Sequence, residues 1–183
     1  MKKSNLIFAI VCIIGMCNVM HAQEMKFLGI PFGTESTIFN HKLMDKGYKW
    51  VTATGSSTTR RYKAELEGDF WRIRNCTVFL FSYSCDDSKT ACPITEAWVI
   101  LPTEDGHTSL YAELISDFVK KYGDYTEVKS ISDDTQTEWH LSNGNIIVEE
   151  LMTFAIRIRY LSSIRLRQLE EANRFRGNGS NDL

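Results

Sequence analysis

From residue 25 onward the chain alternates between a helical and a strand-like hydrophobic rhythm. Ile38, Phe39, Leu43 and Met44 recur at helical spacing. Thr34 before them can cap a helix, and Gly47 after them can end one in left-handed backbone. Residues 48–54 read as a strand and Gly55-Ser56-Ser57 as turn material. Residues 58–67 then alternate, with Tyr62, Ala64 and Leu66 on one side and Arg61, Lys63 and Glu65 on the other. Glu67-Gly68-Asp69 reads as a tight turn. Residues 76–83 are apolar on both faces, Val78 and Leu80 on one, Phe79, Phe81 and Tyr83 on the other. That is the pattern of a central strand covered on both sides. Residues 95–101 supply the next strand.

The second half repeats this order. Leu110, Leu114, Phe118 and Tyr122, beside Tyr111, Ile115 and Val119, form a two-ridge apolar stripe stopped by Gly123. Strands follow at 125–131 and 135–141, and Asn143-Gly144 is a hairpin turn into Ile146-Ile147-Val148. Across 152–161, Phe154, Ile156, Ile158 and Tyr160 face inward, while Thr153, Ala155, Arg157 and Arg159 face away. Ser162 can cap a last helix over 163–175, and a polar tail expected to be disordered starts at Gly177. Helices alternating with runs of hairpin-linked strands imply an α+β fold with an antiparallel sheet. The repeated order suggests a duplicated helix-plus-β-hairpins unit, with halves 27–102 and 103–176 of one domain spanning 23–176. Two glycine pairs, Gly47 with Gly123 and Gly68 with Gly144, recur at equal separation.

The first residues change the picture of where the protein works. Lys2 and Lys3 precede an apolar run over 6–17, and Ala22 offers a small residue for cleavage. The run is roughly a dozen residues, short of the ~20 that span a bilayer. Residues 1–22 therefore read as a cleavable signal peptide, and the product as periplasmic or secreted with no transmembrane segment. Of five cysteines, Cys12 and Cys17 leave with the signal. Cys85 and Cys92 bracket a polar loop that a disulfide would staple in an oxidising compartment. Cys76, among apolar neighbours, reads as a buried free thiol.

Charge and motifs narrow the chemistry. The 183 residues carry 21 Lys+Arg against 23 Asp+Glu, a net charge of −2. That is not the basic field nucleic acid requires, so no nucleic-acid partner is expected. His41, His107 and His140 include no pair with ligand spacing on one element, and the cysteines form no zinc pattern. Neither a Gly-x-Ser-x-Gly elbow nor a phosphate-cradling glycine loop occurs. Asp86-Asp87, Asp133-Asp134 and Glu149-Glu150 pair carboxyls in sequence, but catalysis needs them facing one another across a cleft. No catalytic, metal or cofactor-binding residue is assigned, and no cofactor is expected.

Two features suit recognition. Arg157, Arg159, Arg165, Arg167, Arg174 and Arg176 crowd the last strand and helix. One reading is a solvated helix laced by Arg167–Glu171 and Glu170–Arg174 pairs. The other is a basic strip for an acidic partner. The strand aromatics Trp50, Tyr62, Phe70, Trp71, Trp98 and Trp139 either fill the core or form a contact platform. Phe70 and Trp71 are neighbours, so their side chains should leave opposite faces and expose one ring. The candidate partner-binding residues are Arg157, Arg159, Arg165, Arg167 and Trp71.

The stretch Met25-Lys26-Phe27-Leu28-Gly29-Ile30-Pro31-Phe32-Gly33-Thr34, with Lys46-Gly47-Tyr48 and Lys121-Tyr122-Gly123, resembles a family of small secreted proteins of Bacteroides-type bacteria. The layout is also similar to β-lactamase-inhibitor-protein and BamE-like folds, a resemblance that implies protein binding without catalysis. The resulting expectation is an exported, non-catalytic binding protein of the cell envelope. It would contact a macromolecule, protein first, through a sheet face or the arginine strip. The alternative is an envelope hydrolase or a thiol-active enzyme.

Overall fold

The computed structural model describes residues 24–56, 61–83, 85, 92–103, 108–131, 134–151 and 155–178. Residues 1–22, read from the sequence as a signal peptide, and residues 179–183 lie outside these. A short hairpin, β1 (Lys26–Phe27) and β2 (Ile30–Pro31), precedes helix α1 (Ser36–Met44). The meander β3 (Lys49–Ser56), β4 (Arg61–Phe70), β5 (Ile73–Ser82) and β6 (Glu96–Pro102) follows. Helix α2 (Thr108–Tyr122) opens the second half, with β7 (Glu127–Ile131), β8 (Asp134–Leu141), β9 (Gly144–Leu151) and β10 (Ala155–Ser162). Helix α3 (Ser163–Asn178) comes last. It carries the helix past Phe175 into the stretch the sequence assigned to a tail.

The eight strands β3 to β10 form one antiparallel sheet in the order β3-β4-β5-β6-β10-β9-β8-β7. Each half is thus a helix followed by a four-stranded meander, and the meanders meet at their last strands. There, Ala155 stands opposite Pro102 and Leu161 opposite Glu96. This is the α+β class with an antiparallel sheet that the alternating pattern implies.

One face of the sheet carries the core. Phe39 and Leu43 from α1 and Leu114 and Phe118 from α2 join a single cluster with Ala64, Leu66, Val78, Leu80, Val99, Ile156 and Ile158. The β1–β2 hairpin belongs to this layer. Its Phe27 ring stacks on Phe70 and meets Tyr160 edge-on. The Phe-Leu-Gly-Ile-Pro motif is therefore structural: Phe27 and Ile30 are buried, and Leu28 and Gly29 make the turn at positive φ, 51° and 81°. No helix among the described residues is long and apolar enough to cross a membrane.

Several local expectations are corrected. Gly68 is not in a turn; it lies inside β4 opposite Cys76, and the turn falls at Trp71-Arg72. A Cβ on Gly68 would come within 2.4 Å of the Tyr48 ring, so close packing explains the glycine. Gly68 is therefore not the counterpart of Gly144, which follows the β8–β9 turn. Gly47 and Gly123 do match, each at positive φ after its helix. Thr34 does not cap α1, because its hydroxyl donates to the Pro31 carbonyl at 2.8 Å. Ser162 does cap α3, its Oγ accepting the Arg165 amide at 3.3 Å. Gly55 and Ser56 extend β3 rather than forming a turn.

Candidate functional site

Strand alternation sends every second side chain away from the core, and the opposite face of the sheet collects them. One row crosses all eight strands: Thr52, Glu65, Phe79, Trp98, Arg159, Ile147, Glu138 and Glu127. The next row begins Thr54, Lys63, Phe81, Glu96. Helices α1 and α2 pack on the core side, and the outward-facing rings of β5 are left only half-buried. Val78 and Leu80 are fully buried, whereas Phe79, Phe81 and Tyr83 are half-buried.

The four aromatic rings on this face touch one another. Phe81 lies 4.7 Å from Trp98 between ring centroids, 6.4 Å from Phe79 and 6.2 Å from Tyr83. Arginines cap two of them. Arg157 and Arg159 lie over Trp98 at 5.2 and 5.3 Å, and Arg165 lies over Tyr83 at 3.4 Å. At these distances the arginine cations can interact with the ring faces.

Two carboxylates hold the arginines in place. Glu96 is 1% exposed and receives Arg159 Nη2 at 3.2 Å and Arg165 Nε at 2.9 Å, with the Trp98 indole N–H also donating to it. Arg157 pairs with Glu149, and Arg159 Nη1 stands 3.9 Å from the same carboxylate. Three arginines against two glutamates leave the cluster one positive charge. Burial, then the neighbouring Glu96 charge, raises the Tyr83 phenol above its ordinary pKa.

Of the sequence candidates, Arg157, Arg159 and Arg165 thus converge, drawn together by pairing of β6 with β10. Arg167 does not join them. It lines a separate cleft of about 270 Å³ beside Met25, Phe32 and Asn143. Neither Arg167–Glu171 nor Glu170–Arg174 forms an ion pair among the described residues. Trp71 also lies elsewhere. It sits in a turn at φ 56°, and its indole N–H donates to Asp117 Oδ2 at 3.1 Å on α2. The left-handed backbone breaks strand alternation, so Phe70 and Trp71 both pack toward the helix layer. Sequence reasoning missed Glu96 and Glu149 as organisers of the site, and read Phe79, Phe81 and Tyr83 only as a covered strand face.

A second polar cluster lies on the β7–β8 edge. Glu138, 6% exposed, accepts from Lys129 Nζ at 2.9 Å and from Gln136, and its other oxygen is 3.0 Å from His140 Nε2. Burial works to raise the Glu138 pKa, but the hydrogen bonds from His140, Lys129 and Gln136 prevail and hold it below the ordinary value. Glu127, Glu138 and His140 bring ligand-type atoms within 4.8 Å of one another. The Lys129 ammonium already stands among them, 3.1 Å from Glu127.

The thiols are quiet. Cys85 and Cys92 stand at disulfide distance, with Cα atoms 4.6 Å apart. Cys76 is free and fully buried, and burial pushes its thiol pKa up, which disfavours the nucleophilic thiolate.

No protein-family model matches the chain, and neither a curated protein nor a solved structure matches it.

Proposed function

We propose that the chain is an exported, non-catalytic binding protein that docks a protein of the cell envelope on the uncovered sheet face. One observation carries this reading. Helices α1 and α2 shield one face, while the other holds a contiguous, half-buried aromatic strip with arginines stacked on it. Aromatic and arginine side chains dominate the energetics of protein interfaces, because they offer large area at low conformational cost. Here the ion pairs to Glu96 and Glu149 order the arginines before any partner arrives, which lowers the entropy lost on binding. The near-neutral cluster suits a mixed polar and apolar partner surface better than a strongly acidic one.

The test is site-specific photocrosslinking in the native cell. Probes at Thr77 and Glu65, on the open face, are expected to capture one protein in near-stoichiometric amount. A probe at Ile38, on the outer side of α1, is expected to capture none. No protein from either open-face position, or the same yield from Ile38, overturns the reading.

A further inference from the structure

A cleft at one end of this face combines two of its rings with cations that the Glu96 cluster does not hold. It is an open cleft of about 350 Å³ whose lining includes Thr54, Gly55, Arg61, Lys63, Phe81 and Tyr83. Thr54, Lys63 and Phe81 stand abreast on β3, β4 and β5. Beside them Phe81 and Tyr83 lie 18° from parallel with centroids 6.2 Å apart, and Arg165 occupies one face of Tyr83. The cations at its rim differ from those at Glu96. Neither Arg61 nor Lys63 has a carboxylate partner among the described residues; Lys63 rests its ammonium on the Phe79 ring at 4.1 Å. β3 is an edge strand, so alternate backbone groups beside Thr54 face outward and lack a ladder partner.

The geometry points to an acidic saccharide, a sugar ring bearing a carboxylate, as the occupant of this cleft. The volume suits a ligand of one or two rings. A pyranose offers an apolar C–H face for Phe81 and a hydroxylated edge for Thr54 and the β3 backbone. Its carboxylate matches the planar fork of Arg61, with Lys63 adding a point charge. A fully aromatic anion would leave the edge donors and acceptors unused. A neutral sugar would leave both cations unpaired. This inference goes beyond the docking reading, with which it shares Phe81 and Tyr83: crosslinking at Thr77 tests one, and ligand titration tests the other.

The experiment is calorimetric titration of the purified chain with a galacturonate disaccharide, with its neutral galactose counterpart and with sodium sulfate. Saturable binding of the acidic sugar is expected, at least about tenfold tighter than either control. Arg61→Gln with Lys63→Gln should weaken it about tenfold or more, and Lys63→Arg should largely retain it. Thr54→Trp should block the cleft from the exposed strand edge, and an unchanged near-ultraviolet circular dichroism spectrum would show the fold intact. Absence of saturable binding overturns the inference. So does equal affinity for the neutral sugar or for sulfate, or unchanged affinity in the Gln and Trp variants.

Discussion

On the helix-covered side of the sheet, Val78, Leu80, Val99, Ile156 and Ile158 meet Phe39, Leu43, Leu114 and Phe118 in a layer fully removed from water. On the other side, the alternate residues of the same strands form a half-buried lattice of rings, guanidinium groups and carboxylates. The first face is held by apolar burial, which is non-directional and tolerates modest repacking. The second depends on geometry, because each arginine needs both its ring and its carboxylate. A face kept in order by directional contacts leaves its rings half-exposed. A face sealed by helices is committed to stability.

The largest expected effect lies on the sealed side. Phe39→Ala should cost about 3–5 kcal/mol in denaturant unfolding, as for other large-to-small changes in a packed core. Phe81→Ala, among half-buried rings, should cost less than half as much. Equal losses would erase the distinction between the faces.

A smaller effect tests whether the open face has an energetic centre. Glu96→Gln leaves Arg159 and Arg165 without their buried charge partner and should cost about 2 kcal/mol, discounted because both arginines keep some solvent access. The near-ultraviolet signal of Trp98 should change with it. A loss below about 0.5 kcal/mol would reduce the cluster to ordinary surface pairs.

The smallest effect appears in alkali. Burial, then the nearby Cys76 and Asp69, pushes the Tyr48 phenol up to about 12. A group raised in the folded state keeps its full stabilising effect below its unfolded pKa of 10.0 and loses it as pH rises toward the folded value. Stability should therefore fall between those values by about 1 kcal/mol per pH unit from this residue. Tyr48→Phe should flatten the decline, at the cost of the hydrogen bond to the Asp69 carbonyl. An unchanged slope in urea melts from pH 9 to 11.5 would refute the assignment.

The elements of the fold were legible because each is written locally. The alternation of Ile156, Ile158 and Tyr160, and the stripe from Leu110 to Tyr122, name their structures without reference to distant residues. Gly68 misled because a glycine signals a turn or a close approach equally well, and only the Tyr48 ring against it decides. Trp71 misled because one left-handed residue cancels the alternation rule. The arginines were visible as a group, but their meaning was not. Glu96 lies 63 residues from Arg159 and 69 from Arg165, and no local pattern announces that the three will meet. The pairing of β6 with β10 brings them together, and strand order is what hydrophobic rhythm does not encode.

That same pairing governs how the protein must come into being. β6 finds its second neighbour only in β10, a strand made more than fifty residues later. During synthesis, the first meander therefore waits with Val99 and Leu101 beside an open hydrogen-bonding edge. Contacts of such long range form slowly, and an unpaired edge of this kind is a template for the wrong strand. The interval before β10 emerges is when the chain is most exposed to aggregation, and when a chaperone that shields strand edges would matter most to its yield.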